Sequence, residues 1–89
     1  MIHYYKTKMV HEIVSCSSFE EVKFTVNAIF LLLKVEDIEN TDMIIFIDNA
    51  LAELRSLPRT KLPYFQNANI ISAELLLNQH RLQFCKVMT

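Results

Sequence analysis

Residues 35–54, VEDIENTDMIIFIDNALAEL, set five large apolar side chains in a row, Met43 to Ile47. A helix with one buried face does not obviously need five. At 100° per residue, Met43, Ile44, Phe46, Ile47, Ala50, Leu51, Leu54 and Leu57 nevertheless fall within one arc of about 160°. Asp48, Asn49, Glu53, Arg55 and Ser56 take the other side, and only Ile45 is out of place, next to Ala52. The run is therefore the wide stripe of a helix and not a strand. Asn40 or Thr41 is positioned to cap it, and Asp42 sits in its first turn. Pro58 ends it by disfavouring α geometry at Leu57.

The same periodicity predicts three more helices. Ile2, Tyr5, Met9 and Ile13 recur at steps of three and four, with Val10 and Val14 beside them, over Ile2–Ser15. Tyr4, Val10 and Val14 are also good strand residues, so a strand stays open for this segment. Ser18 and Glu21 have capping-box spacing and start a helix from Phe19 to about Val35. Its residues Phe19, Val22, Val26, Ile29, Phe30 and Leu33 form one apolar stripe, and Phe24, Ala28, Leu31 and Val35 form a second, nearly opposite. A helix apolar on two opposed sides is normally sandwiched. After the connector PRTKLP, Pro63 fits the first position of a helix running to about Phe84. Tyr64, Ala68, Ile71, Leu75 and Leu82 share one of its faces, and Ile70, Ala73, Leu77 and Phe84 another.

Composition sharpens this picture. The chain has 89 residues, 52% of them hydrophobic, with no Gly and two Pro. A β-rich domain of this size needs tight turns for which Gly is the usual residue. The expectation is one all-α domain over residues 1–89, a small bundle of three to four helices. A domain this small cannot cover that much apolar surface alone. The pattern thus predicts a homodimer, intertwined or packed, with Phe24, Ala28, Leu31 and Val35 on the intersubunit side. Ile45, Ala52, Phe65 and Leu76 project away from the main stripes and make a candidate patch for another protein.

Candidate chemistry is sparse. Nine Lys and Arg stand against ten Asp and Glu, for a net charge of −1, and no basic stripe is visible. That balance argues against a dedicated phosphate-binding surface. His80, Arg81 and Lys86 near the C-terminus could touch phosphates or base edges, although basic residues also suit a helix end electrostatically. Three histidines and two cysteines show no recognised metal-ligand spacing, and Cys16 and Cys85 are too few for a disulfide scaffold. Without Gly there is no phosphate loop and no Gly-built oxyanion turn. No catalytic residue, metal or cofactor is expected. Lys6, Lys8, His11 and Glu12 interrupt any signal-peptide run, and the longest apolar run, 28–33, is far short of the roughly 20 residues of a membrane span. A cytoplasmic protein with reduced thiols is expected.

The polar break at Glu36–Asn40, the positions Val26 and Leu32–Leu33 before it, Asn40, Met43, Ile44 and Ile47 after it, and the later Leu75–Leu77 make a pattern. Over about residues 20–77 it resembles the enterobacterial YmgB/AriR family of small biofilm-development and connector proteins. The family usually has Gly in the break, where Val35 stands here. The resemblance implies a small all-helical dimer without enzymatic activity. It also implies a role in tuning a phosphorelay that controls biofilm and envelope genes, some members being suspected of touching DNA. The expected function is a non-enzymatic regulatory adaptor acting on a protein partner. A small DNA-binding regulator and a mobile-element inhibitor or immunity protein are the rival readings.

Overall fold

The computed structural model describes residues 2–88. Four helices, α1 (Ile2–Ser15), α2 (Phe19–Val35), α3 (Asn40–Ser56) and α4 (Tyr64–Met88), form a bundle with no strand among the described residues. The strand alternative for the first segment is thereby settled in favour of helix. Its Met9, Val10 and Ile13 enter the core at helical spacing. The Ile2 side chain, assigned to the same stripe, lies outside what is described.

Local chemistry accounts for the boundaries. The Ser18 hydroxyl accepts from the Glu21 amide at 3.2 Å, and the Glu21 carboxylate accepts from the Ser17 amide. This is a reciprocal cap, reaching back one residue further than the usual box. The Leu57 backbone is extended at ψ 142°, as the following Pro58 requires, so α3 stops at Ser56. Three expectations need correction. Neither Asn40 nor Thr41 caps α3. Glu39 holds the cap position in extended geometry, without a side-chain hydrogen bond. Pro63 stands just outside α4, where its carbonyl accepts from the amides of Gln66 and Asn67. The helix also runs on to Met88, because no Gly or Pro follows Phe84 to stop it.

Packing follows from the stripes. α1 and α4 each lie against all three other helices. At a rise of 1.5 Å per residue α4 spans roughly the whole 38 Å length of the molecule. It runs parallel to α2: Asn69 meets Cys16 and His80 meets Asn27, both pairs 53 residues apart. It runs antiparallel to α3, with Phe84 near Met43 and Arg81 on Asp48. Phe30 of α2 sits at the centre of the aromatic contacts, edge-on to Phe46 at 5.8 Å and tilted against Phe84 at 5.9 Å. Such geometry satisfies the ring quadrupoles. Phe46, Met9, Ile13, Leu33, Leu54 and Leu77 are among the fully buried side chains. Within the expected α2 core stripe only Phe19, at the open end, stays half exposed.

Among the described residues one polar side chain goes inside. Asn69 is 6% exposed, and its Nδ2 donates to the Cys16 carbonyl at 2.7 Å. That carbonyl belongs to the α1–α2 turn, where no helix supplies it with a donor. The expected outcome of Asn69→Ala is a loss of about 1–3 kcal/mol in chemical denaturation, because the acceptor is left buried and unpaired. An unchanged midpoint would show that water replaces the bond.

Candidate interaction surface

The residues that α2 does not bury are organised. Phe24, Ala28, Leu31 and Val35 recur at steps of four, three and four, within an arc of about 60° at 100° per residue. The buried set Val22, Val26, Ile29 and Leu33 lies almost diametrically opposite. Phe24 is 75% exposed and Val35 83%, Leu31 is exposed as well, and Ala28 is partly covered. The second stripe foreseen for α2 thus faces outward in the single chain.

α4 repeats the arrangement. Tyr64, Ala68, Ile71, Leu75 and Leu82 fall within about 60° and are all exposed, Tyr64 by 89%. Opposite them Asn69, Ile70, Ala73, Leu76 and Leu77 are buried. Steps of four, three and four are those of successive seam positions in a coiled coil. The face was recognisable from its spacing, but it was not among the expected interfaces.

The patch expected from Ile45, Ala52, Phe65 and Leu76 does not assemble as such. Ile45 and Ala52 are exposed on one face of α3, and Phe65 is half exposed at the start of α4. Leu76 must be corrected. It is 8% exposed and belongs to the core. It lies seven residues after Asn69 and so on the same edge of α4. That edge is buried because α4 packs on three helices at once.

The C-terminal basic residues turn different ways. Arg81 donates through Nε and Nη2 to the two Asp48 carboxylate oxygens, at 2.8 and 3.3 Å. This fork holds the Asp48 carboxyl below its usual range, by hydrogen bonding first and charge second, and raises the guanidinium further. His80 stacks on Phe30 at 4.3 Å, with Nε2 3.3 Å from Asn27 Oδ1, and Lys86 is exposed in the last turn. Arg81 is thus engaged by Asp48, while His80 and Lys86 line one open pocket together with Gln79, Leu82 and Gln83.

His80 also borders an open groove of about 510 Å³, with Phe30, Leu31 and Lys34 of α2, Met43 of α3 and Phe84 of α4. The wall is mainly apolar, and Lys34 is its ionised group. Of the thiols, Cys16 is buried, its Sγ donating to the Glu12 carbonyl, and burial pushes its pKa up. Cys85 lies 3.7 Å from Arg81 Nη1, on a different neighbour from His80. Neither pairs with a histidine as a thiolate nucleophile would. Among the described residues no three His, Cys, Asp or Glu side chains converge on a metal-sized site, and no helix is long and apolar enough to cross a membrane.

No protein-family model matches the chain, and comparisons with curated proteins and with solved structures likewise return no match.

The buried side of the groove carries a pH dependence. Desolvation lowers the His80 pKa below its ordinary 6.5. The unfolded chain therefore takes up this proton first as pH falls, and stability drops from about pH 6.5 down to the folded-state pKa. Above that window the ring is neutral in both states and contributes no slope. Thermal melts between pH 7.5 and 5 should show this loss, and His80→Phe should flatten it. A slope that survives the substitution assigns the effect to other groups.

Proposed function

We propose that this chain is a non-enzymatic regulatory adaptor that works by docking other polypeptides on its outward apolar helix faces. The observation that supports this is the pairing of a filled core with two ordered apolar stripes on its outside. The single chain already buries Phe46, Ile47, Leu54, Ile70 and Leu77 completely. The stripes on α2 and α4 are additional to that core, and they keep seam spacing along the helices. Burying a large side chain of this kind contributes roughly 1.5–3 kcal/mol, so three or four per stripe supply about 5–12 kcal/mol toward an association cost of about 4–15 kcal/mol, to which apolar area on the partner adds. The resemblance to the YmgB/AriR pattern directs the proposal toward a cytoplasmic bacterial regulator with a phosphorelay component as partner.

The test is capture of a host protein by the purified chain, compared with an α4-stripe variant. Ile71→Glu with Leu75→Glu places two charges on exposed positions, so helical content by circular dichroism should stay unchanged. Affinity for the captured regulator should fall at least about tenfold, or 1.4 kcal/mol. Equal capture by both proteins would remove the stripe from the mechanism. If the unsubstituted chain binds no protein but shifts DNA with a steep salt dependence, the DNA-binding reading takes its place.

A further inference from the structure

We propose that the groove between α2, α3 and α4 binds a medium-chain aliphatic carboxylic acid, with the tail along the groove and the carboxylate on Lys34. The proposal is independent of the docking reading, because the groove takes no residue from the α4 stripe on which that reading is tested.

The wall selects the tail. At about 510 Å³ the groove falls within the size of small-molecule sites, roughly 300–1,000 Å³. Leu31, Ile38, Met43 and Phe84 bring apolar side chains to it from α2, the following turn, α3 and α4. The Phe30 ring also lines it, but its surroundings are taken. Phe46 meets that ring edge-on, His80 stacks on it and Phe84 tilts against it. A flat aromatic ligand would have to displace one of these rings to stack on Phe30. An aliphatic chain needs no free ring face. It packs on branched and thioether side chains, and the unbranched Met43 adapts to it most readily.

Charge selects the head. Among the described residues that line the groove, Lys34 alone is ionised near neutral pH, since burial keeps the His80 ring neutral there. Among the described residues Lys34 has no ion-pair partner in its own chain. Glu36 is drawn off toward α1 by the Tyr5 hydroxyl, which donates to it at 3.0 Å. Asp37, Glu39 and Asp42 follow in the turn and the first turn of α3, and none of them lines the groove. One ammonium group beside an apolar wall matches one carboxylate. A phosphate head would bring a second charge with no second cation to meet it, and an amine head would be repelled. The side-chain amides of Asn40 and Gln83 also line the groove and can donate to the carboxylate. The hollow beside Cys16 has the opposite character, with Glu12, Glu20 and Glu21 in its wall, and disfavours the same ligand.

Octanoate titrated into the purified chain should bind saturably and one-to-one by calorimetry. Methyl resonances of Leu31, Ile38 and Met43 should shift, while those of Leu75 and Leu82 on the α4 stripe should not. Butanoate should bind at least about tenfold more weakly, because it buries fewer methylenes. Lys34→Gln should weaken octanoate about tenfold and leave octanol unaffected. Leu31→Asp should abolish octanoate binding by placing a like charge in the wall. Both positions are exposed, so circular dichroism should show unchanged helical content. Ile71→Glu with Leu75→Glu should bind octanoate as the unsubstituted chain does. Absence of saturable binding overturns the proposal. So does octylamine binding as tightly as octanoate, or an equal loss of octanoate and octanol in Lys34→Gln. Methyl shifts centred on the α4 stripe, or helical content lost during the titration, would show a detergent effect and overturn it as well.

Discussion

The hydrogen bond from Asn69 to the Cys16 carbonyl ties the start of α4 to the turn between α1 and α2, where neither of those helices can satisfy the acceptor. Its consequences run the length of α4. A helix pinned at that corner and parallel to α2 carries every later contact at the same offset, including His80 on Asn27. It also meets three neighbours along its buried face, since α1, α2 and α3 all lie against it. Ile70, Ala73, Leu76 and Leu77 are buried because they share that arc. The bond is thus a small local energy term with a large geometric reach.

Most of the architecture could be read from apolar spacing. The bounds of α1 and α2 and the end of α3 follow from stripe periodicity, a serine cap and one proline. The misplacement of Leu76 shows where such reading stops. Its edge of α4 looks polar, because Asn69 stands on it, and only the partner carbonyl on a distant turn makes that edge internal. An interaction between residues 53 apart in the chain leaves no local periodic signal. The polar contacts were hidden for the same reason. Arg81 reads as a free basic residue near a helix end, yet Asp48, 33 residues earlier, engages it.

The outward stripes illustrate the opposite situation. Phe24, Leu31 and Val35 were expected to need a covering surface, and the folded chain leaves them uncovered. What periodicity could not assign was the relation between stripes on different helices. Tyr64, Ile71 and Leu75 have the same spacing, but whether they packed on α2 or faced outward depended on the rotation of α4. That rotation is set by the core side, through Asn69, Ile70 and Leu77, and the outward face is whatever remains.

This places the molecule between two constraints. An 89-residue chain that was half apolar could either fold around all its apolar residues as a loosely packed mass or divide them between a core and a surface. The bundle divides them, and it does so with the same helices. Each of α2 and α4 has one face that specifies the monomer fold and an opposite face that does not contribute to it. The division has a functional consequence that follows from additivity. A substitution on an outward face, far from any shared neighbour in the core, leaves the fold unperturbed. A chain built this way can change its partners by altering surface stripes while Phe30, Phe46 and Asn69 hold the bundle constant. That independence of face and core is what supports the proposal that the protein is an adaptor.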